Sequence, residues 1–374
     1  MRVLQVSKFY PPVMGGIESV AWELTEGLNR LGVHTEVLCS SHRWRSVHQN
    51  APGGHTVVRA GTLGTLLSTS IAPPMPHLLR RMARAADVVH LHMPDPMAAA
   101  AFWATRPRAS LVVHWHSDVI RQRVALRAYE PLQHWLLRRA DAIVATSRPY
   151  AEASGTLAPW RRKVHVIPIG ISDNRSTSCS LKAEALRQRF GRRRIVFSLG
   201  RMTYYKGFDV LIDAATALSD DCVVLIGGDG ELLPQYRARV VERGLSDKVY
   251  LLGHVNDVDL ASHFEACDVF CMPSTVRAEA YGVAMLEAML MGKPIVATDI
   301  AGSGVPWVNV HGHTGLNVPV RDTAALTAAL SRLLADGDLR EQLGRAARLR
   351  YEDEFRADLM VHRMLDLYRR LARD

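Results

Sequence analysis

Short runs of consecutive apolar residues alternate with longer amphipathic stretches along the whole chain. The first run, residues 3–6, precedes a stretch whose apolar residues recur three or four positions apart, which is the spacing of one helix face. The same alternation predicts strands at residues 111–115, 195–199, 223–226 and 267–274. Uninterrupted apolar runs are typical of strands buried on both faces, as in parallel sheets covered by helices. The hydrophobic pattern therefore predicts an α/β fold.

The length of the chain predicts two domains. Its 374 residues, 48% of them hydrophobic, exceed what one core usually supports. Near residues 167–174 a predicted strand runs into a Ser/Thr-rich polar stretch that ends at Ser180, and we place the divide there. We predict domains at residues 1–172 and 173–352, and a long helix in residues 353–374.

Two glutamates lie where a strand is predicted to end and a helix to begin. The helix is predicted over residues 282–290, so Glu279 falls in the preceding turn and Glu287 inside the helix. A helix that begins at the carboxyl end of a strand offers unpaired N–H groups and a positive dipole end to a phosphate. The amides that could hold a diphosphate are those of Tyr281, Gly282 and Val283.

A carboxylate beside a diphosphate would repel it unless the carboxylate binds hydroxyl groups, which donate hydrogen bonds and need no counter-charge. Two polyols that flank one diphosphate describe a sugar nucleotide. On this hypothesis Glu279 binds the hydroxyls of the transferred sugar and Glu287 binds the ribose. The alternative is that both are ordinary acids on a helix surface.

Two cations, Arg201 and Lys206, follow the predicted strand at residues 195–199. They are five residues apart around a turn that ends in Gly207, so both can converge on one anion. Fixed cations and helix amides stabilise the charge on a departing diphosphate without a metal. The alternative is two surface cations on a turn.

Gly15 and Gly16 lie between the first predicted strand and the first predicted helix. A glycine loop at a helix N-terminus lets a phosphate approach the backbone closely, although a tight turn explains the pair equally well. The pair is not part of a G-x-G-x-x-G sequence and the chain has no P-loop, so the pattern does not favour a nicotinamide site.

His116 follows the predicted strand at residues 111–115, and alternation puts it on the same face as His114. A lone histidine at a strand end is more often structural, and we interpret His114 in that way. Two further pairs are His90 with His92 and His311 with His313. No nearby carboxylate or cysteine completes a ligand set, so zinc is not expected.

Three segments together resemble the family-4 glycosyltransferases of the GT-B fold: residues 200–209 (GRMTYYKGFD), 227–230 (GGDG) and 279–287 (EAYGVAMLE). The resemblance spans essentially the whole chain in the same order, and it also covers the glycine pair, His116 and residues 309–322. Residues 302–307 (GSGVPW) depart from the commoner glycine-rich form of the family. They resemble a bacterial subgroup that transfers mannose or related sugars.

This resemblance implies two Rossmann-like domains that face each other across a cleft, an acceptor domain followed by a donor domain, with the last helix packed on the first domain. It implies a retaining enzyme that needs no metal or other cofactor. The donor is expected to be GDP-mannose, with a UDP-sugar second. The acceptor is expected to be a saccharide, linked to a polyprenyl diphosphate, in bacterial surface-polysaccharide assembly.

The resemblance also implies roles for individual residues. His116 is expected to contact the donor sugar, with its backbone carbonyl near the anomeric carbon. Arg201 and Lys206 are expected to hold the leaving diphosphate, which itself helps to deprotonate the acceptor. Glu279 is expected to orient the sugar, without acting as a covalent nucleophile.

The formal charge of +9 lies entirely in the first half of the chain, because residues 175–374 contain 26 basic and 26 acidic side chains. An anionic acceptor, or an anionic surface that carries it, would explain this. Residues 77–86 and 135–139 are basic and amphipathic, so they could lie in a membrane interface or be core-facing helices with solvated arginines. The one-sided charge favours peripheral contact with the inner membrane.

An odd number of cysteines, five, argues against a disulfide framework, and no apolar run approaches the ~20 residues of a membrane span. We therefore expect a cytoplasmic protein. Three alternatives stay open: a nucleotide-sugar epimerase of the same fold, a silent sugar-nucleotide binder, and a basic nucleic-acid-binding protein. The last explains the charge but leaves the ordered motifs unexplained, so we do not expect nucleic acid as a partner.

Overall fold

The computed structural model describes residues 1–13, 15–66, 69–118, 123–173 and 177–372. The chain separates into two units. The first unit comprises Met1–Ser172 and Ala357–Asp374, and the second comprises Asp173–Arg356. Each contains a largely parallel sheet between helices, so the prediction of an α/β fold is confirmed. The assignment of acceptor and donor to the two units stays a prediction.

Among the residues that the structure describes, the first unit begins with ten strands and five helices. Its strands are β1 (Arg2–Ser7), β2 (His34–Ser40), β3 (Val47–Asn50), β4 (Thr56–Ala60), β5 (Gly64–Leu66), β6 (Thr69–Ile71), β7 (Val88–Met93), β8 (Ser110–Trp115), β9 (Ala142–Ala145) and β10 (Val164–Val166). Its helices are α1 (Gly16–Arg30), α2 (Met75–Met82), α3 (Pro96–Thr105), α4 (Arg123–Arg139) and α5 (Arg148–Ala153), followed by a 3-10 turn, Ala158–Lys163.

The main sheet of this unit has the order β10-β9-β8-β7-β1-β2-β4-β3, and only β3 pairs antiparallel. The strand order reverses between β1 and β7. In such sheets ligands bind at the carboxyl ends of the strands, at the point of reversal. Strands β7 and β8 are neighbours near the centre, with His92 opposite His114.

The second unit repeats the same plan. Its strands are β11 (Arg194–Leu199), β12 (Cys222–Gly227), β13 (Val249–Gly253), β14 (Val269–Met272), β15 (Ile295–Thr298) and β16 (Gly315–Val318). Its helices are α6 (Thr177–Phe190), α7 (Phe208–Ala215), α8 (Leu233–Glu242), α9 (Asp257–Ala266), α10 (Val283–Leu290), α11 (Val305–Val308), α12 (Thr323–Ala335) and α13 (Gly337–Arg350), followed by a π turn, Tyr351–Phe355. The sheet is wholly parallel, in the order β13-β12-β11-β14-β15-β16, and reverses between β11 and β14.

The last helix, α14 (Ala357–Leu371), belongs to the first unit. It packs on α1, where Val361 lies so close to Gly27 that a side chain at position 27 would collide with it. Its Tyr368 is fully buried, and the hydroxyl contacts side chains of β1 and β7. The first unit is therefore completed by residues that follow the second unit in the chain.

The two basic amphipathic segments do not offer apolar faces to a membrane. In α2, Leu78, Leu79 and Met82 are buried while the neighbouring arginines are exposed, and in α4 Leu136 and Leu137 are buried. The interfacial interpretation of these segments is wrong, because their apolar faces complete the core of the first unit. Within the described ranges, no helix has the length and hydropathy needed to cross a bilayer.

Candidate functional site

The loops that follow β11, β12 and β14 are packed backbone to backbone at the point where the second sheet reverses. Gly207 has φ 67°, and a Cβ there would lie 2.0 Å from the carbonyl oxygen of Pro273. Gly228 has φ 133°, and a Cβ there would lie 1.9 Å from the carbonyl oxygen of Gly200. No side chain fits at either position, so these two glycines bring the three loops into contact.

Lys206 and Glu279 meet at this edge of the sheet. The Lys206 ammonium lies 2.6 Å from Glu279 Oε2, and the Ser274 hydroxyl donates to the same oxygen at 3.0 Å. The side chains of the ion pair are only 13% and 10% exposed. Burial alone lowers the pKa of Lys206, but the charge of Glu279, with Tyr205 and the hydrogen bond to Glu279, raises it above its ordinary value. Lys206 is therefore a cation held beside a carboxylate.

This ion pair was not predicted from the sequence, which assigned Lys206 to a diphosphate and Glu279 to sugar hydroxyls. An ammonium carries three donors, so one bond to Glu279 leaves two for a further anion. Arg201 is exposed, and its charge opposes protonation of Lys206. That these two cations converge on one anion stays a prediction.

Helix α10 begins beside the ion pair. Gly282 is its N-cap, at φ 84° and ψ 59°, and a Cβ there would lie 2.7 Å from Met272 Sδ. Val283 opens the helix, so its N–H and that of the N-cap belong to the group that has no acceptor within the helix. Tyr281 is buried with its ring near Trp307. As predicted, Glu279 precedes the helix and Glu287 lies within it.

The turn that carries Glu279 is held by the segment at residues 302–307. The Ser303 hydroxyl donates to the carbonyl oxygen of Glu279 at 2.5 Å, and the Gly304 N–H donates to the carbonyl of Ala280 at 2.8 Å. Ser303 is 2% exposed. Sequence reasoning missed Ser274 and Ser303 as supports of Glu279, although the unusual 302–307 sequence was a signal for the second.

Gly15 and Gly16 lie where β1 leads into α1 in the first unit. Gly15 has φ −163° and ψ 176°, an extended conformation that any residue adopts. A Cβ there would contact only the end of the Glu18 side chain, at 2.6 Å, and that chain is flexible. The fold therefore does not require glycine at position 15, which weakens the explanation by a tight turn.

Four histidines form a buried stack on one face of β7 and β8. His90 and His92 project from β7, His114 from β8, and His116 follows β8 directly. Ring centroids are 4.6 Å apart for His90 and His92, and 4.1 Å apart for His114 and His116. The predicted common face of His114 and His116 is confirmed. The sequence did not reveal that the pair at 90 and 92 joins them, because this needs the adjacency of the two strands.

A chain of hydrogen bonds runs from His116 into the core of the first unit. His116 Nε2 is 3.0 Å from His92 Nδ1, and His92 Nε2 is 3.0 Å from Gln5 Oε1. The Gln5 amide donates to the Tyr368 hydroxyl at 3.3 Å, and that hydroxyl contacts His90 Nδ1. We call these five residues the histidine chain. Burial raises the pKa of Tyr368 far above its ordinary value, so its hydroxyl keeps the proton.

The histidine chain defines the tautomer of His116. Because an amide oxygen only accepts, His92 must donate from Nε2 to Gln5. A neutral His92 then accepts at Nδ1, so His116 donates from Nε2 and keeps a lone pair on Nδ1. His116 is the outer end of the histidine chain. It is 6% exposed, whereas His90, His92 and Tyr368 are each 1% exposed or less.

All four histidines are neutral near pH 7. Burial lowers the pKa of His116 to about 3. Burial, assisted by the neighbouring His116 imidazole, lowers the pKa of His90 to about 3. Burial and neighbouring imidazoles also hold the pKa of His92 and His114 well below the ordinary value. His116 can therefore accept a hydrogen bond but does not supply a positive charge.

One ring nitrogen from each of His90, His92 and His114 lies within 4.8 Å of the other two, a set that a metal ion could use. The sequence argument against zinc considered carboxylates and cysteines and overlooked an imidazole from the neighbouring strand. His90 Nε2 and both nitrogens of His114 have no hydrogen-bond partner among the described residues. Both nitrogens of His92 are bonded, however, and the rings of His90 and His92 are within 6° of parallel. Lone pairs of parallel rings do not converge on one point, so the rings as placed form no coordination sphere.

The predicted site residues thus fall into two groups. Gly15, Gly16 and His116 lie at the carboxyl edge of the sheet in the first unit. In the second unit the structure gathers the remaining residues near the ends of β11 and β14. These are Arg201, Lys206, Glu279, Tyr281, Gly282, Val283 and Glu287.

Both units match models of known protein families. Residues 183–350 match the family model described as glycosyl transferases group 1. Residues 15–170 match the model of a glycosyl transferase 4-like domain.

Two of the curated relatives that align with nearly the whole chain are bacterial sugar transferases. D-rhamnosyltransferase WbpZ of Pseudomonas aeruginosa is 36% identical, over 96% of this chain and 93% of its own. O-antigen chain mannosyltransferase C of Escherichia coli is 32% identical, over 98% of each. Among solved structures, sucrose-phosphate synthase from Thermosynechococcus elongatus superposes with a TM-score of 0.79 at 21% identity, covering 99% of this chain and 98% of that one. HepE from Anabaena, in complex with UDP-glucose, gives a TM-score of 0.78 at 20% identity, with 98% and 99% covered. At these identities the two structures bear on the fold alone.

Proposed function

We propose that this chain, which belongs to the group 1 glycosyltransferase family, transfers mannose or a closely related hexose from a GDP-sugar to a lipid-linked saccharide. Membership of the family makes it a glycosyltransferase. The two relatives described above are named for rhamnosyl and mannosyl transfer, and one of them for the O-antigen chain. These names support a role in the assembly of a bacterial surface polysaccharide.

The observation that carries the proposal is the buried pair of Lys206 and Glu279 beside the start of α10. A diphosphate at this position would accept hydrogen bonds from Lys206, Arg201 and the first amides of the helix. Both bonds that Glu279 accepts from side chains go to Oε2. We assign Oε1 to a hydroxyl group of the sugar, and Glu287 to the ribose.

In the proposed reaction the bond between the anomeric carbon and the diphosphate oxygen breaks, and a bond to the acceptor oxygen forms on the same face of the sugar. The acceptor hydroxyl gives its proton to the departing diphosphate. Lys206 and Arg201 stabilise the charge that develops on this leaving group, and such preorganised charge is usually the largest catalytic contribution. The step uses no metal and leaves the anomeric configuration unchanged.

His116 acts in this proposal as a neutral hydrogen-bond acceptor for the donor sugar. Its Nδ1 lone pair and low pKa support that role over a cationic one. Gly15 and Gly16 are proposed to face the phosphate, since the backbone at Gly15 needs no glycine for the fold itself.

We favour GDP over UDP as the nucleotide because of the mannosyl relatives. A UDP-sugar is the second candidate, because HepE, which has the same fold, was solved with UDP-glucose. The enzyme is proposed to work in the cytoplasm, at the surface of the inner membrane where lipid-linked saccharides are exposed.

The first test is a thermal-shift panel with GDP, UDP, ADP and dTDP. A ligand at 100 times its dissociation constant stabilises the fold by about 2.7 kcal/mol. We expect the largest shift with GDP, and its loss in Lys206→Met but not in Lys248→Met, a control lysine of similar exposure in the same unit. A shift with UDP alone would overturn the nucleotide assignment, and no shift with any nucleotide would overturn the proposed site.

Product analysis is the second test. Incubation with GDP-mannose and a synthetic polyprenyl-diphosphate saccharide should give an extended saccharide and GDP. Conversion of the sugar nucleotide without any acceptor would instead indicate an epimerase of the same fold.

A further inference from the structure

The first unit contains a long stretch of sequence without any acidic residue. No aspartate or glutamate occurs between Glu36 and Asp87. The same stretch contains six basic side chains, all arginine: Arg43, Arg45, Arg59, Arg80, Arg81 and Arg84. This is the longest stretch of the chain without an acidic residue, so its exposed arginines have no acidic neighbour within the stretch.

Large apolar side chains are exposed within the same stretch. Trp44 is 70% exposed, Leu63 is 77% exposed and Leu66 is 65% exposed. They are three of the five most exposed large apolar residues in the described part of the chain, and the other two lie in the second unit. Single exposed leucines are common on protein surfaces, but a cluster marks an interaction site.

The backbone brings these residues together. The Thr62 N–H donates to the carbonyl of Arg43 at 2.9 Å, so the segment around Trp44 runs beside the segment that leads to Leu63. The Leu63 N–H donates to the carbonyl of Ile71, next to the antiparallel pairing of β5 with β6. The guanidinium of Arg45 lies 4.5 Å from the centre of the Trp44 ring. We call Arg43, Trp44, Arg45, Leu63 and Leu66 the Trp44 patch.

We propose that the Trp44 patch docks the first unit on a bilayer that contains anionic lipid. The inference rests on the proposed function in one respect, that the acceptor is linked to a lipid. Tryptophan is the side chain that favours the boundary between headgroups and acyl chains. Leucines inserted beside it bury apolar surface, while the arginines contact lipid phosphates. The absence of acidic side chains from the stretch removes the repulsion that would oppose this contact.

The combination of side chains favours a bilayer over other anionic partners. A single-stranded nucleic acid would need aromatic side chains on which successive bases stack, whereas this patch exposes one aromatic ring and two aliphatic chains. Aliphatic chains gain most from hydrocarbon. The patch replaces the segments in α2 and α4 as the contact expected from the sequence, because the leucines of those segments, Leu78, Leu79, Leu136 and Leu137, are buried.

The inference is tested by co-sedimentation of the purified full chain with vesicles of phosphatidylcholine, alone or mixed equally with phosphatidylglycerol. We expect binding to the mixed vesicles only. The variant Trp44→Ser/Leu63→Ser should lower the partition coefficient at least about tenfold, from the lost apolar burial. The control Trp103→Ser, which removes another exposed tryptophan of the first unit, should bind like the wild type.

Charge is tested separately. Each arginine near an anionic surface changes the partition coefficient about fivefold, equivalent to about 1 kcal/mol. Arg43→Gln/Arg45→Gln should therefore lose about twentyfold or more in binding. The matched control is Arg161→Gln/Arg162→Gln, two exposed arginines of the 3-10 turn in the same unit, which should change binding little.

Two results would overturn the inference. One is wild-type vesicle binding by the Trp44→Ser/Leu63→Ser variant. The other is a dimer in sedimentation velocity that this variant converts to a monomer, because the patch would then bind a second copy of the chain. The thermal shift with GDP is independent of both, so vesicle binding without a nucleotide response would refute the proposed function and leave the docking surface intact.

Discussion

Acidification from pH about 7 to about 5.5 should destabilise the first unit, because the four buried histidines stay neutral when folded. Their ordinary pKa is 6.5, and the folded values for His90 and His116 are about 3. The unfolded chain therefore binds protons in this window that the folded chain does not. The stabilising contribution of each group is complete above the unfolded pKa and is lost as the pH falls towards the folded one.

The size of the effect follows from the linkage relation. An unfolded histidine of pKa 6.5 goes from about one quarter to about nine tenths protonated over this interval, which costs about 1.3 kcal/mol per buried histidine. Four such groups give about 5 kcal/mol, a large fraction of the 5–15 kcal/mol that is typical of a whole domain.

Urea unfolding followed by tryptophan fluorescence measures this loss. Six of the seven tryptophans, all but Trp307, lie in the first unit, so the signal reports mainly on it. The decisive variant is His114→Leu, since His114 makes no hydrogen bond in the described structure through either ring nitrogen. This substitution should reduce the loss of unfolding free energy on acidification by about 1.3 kcal/mol. The other titrating groups are the same in the variant and the wild type, so their contributions cancel. His48→Gln, an exposed control, should leave the loss unchanged. Equal losses in wild type and His114→Leu would refute the reasoning.

Three further predictions concern the ion pair, the histidine chain and the glycine contact. Lys206→Met should reduce transfer about a hundredfold and cost about 3–5 kcal/mol of stability, while Lys206→Met combined with Glu279→Gln should recover stability without activity; equal stability of the two proteins in urea would contradict this. Tyr368→Phe should lower the free energy of unfolding in urea by about 1 kcal/mol, and it should lower kcat with little change in KM for the donor. An unchanged kcat would show that Tyr368 of α14 does not affect the role of His116. Gly207→Ala should lose at least about 1 kcal/mol in thermal unfolding because of its positive φ and the nearby carbonyl, whereas Gly15→Ala should unfold like the wild type.

The architecture could be predicted because it follows from local pattern. Runs such as residues 195–199 and 223–226 became adjacent parallel strands, as consecutive apolar runs between helices do. The positions of Glu279 and Glu287 followed from the same pattern, since one lies past a strand end and the other within a helix. Lys206 and Glu279 were both expected beyond strand ends, where ligands bind in such sheets, and the structure places them side by side there.

What could not be predicted depends on contacts between distant segments. Lys206 and Glu279 each carried a sequence-based assignment to a ligand, and only the packing of the loops at Gly207 revealed that they bind each other. The histidine chain joins β1, β7, β8 and α14, so it required the strand order and the position of the last helix. An amphipathic pattern is the same for a core helix and an interfacial one, which is why the sequence left both interpretations open for α2.

The place of α14 in the chain has a consequence for biosynthesis. The second unit is one continuous segment and can finish folding as soon as it has left the ribosome, whereas the first unit must wait for residues that are made after it. Until Tyr368 emerges, Gln5 and His90 lack the hydroxyl that joins them, and α1 lacks the partner of Gly27. The half of the protein that is translated first is therefore the half that finishes folding last. In an incomplete nascent chain, the histidine chain that ends at His116 still lacks Tyr368.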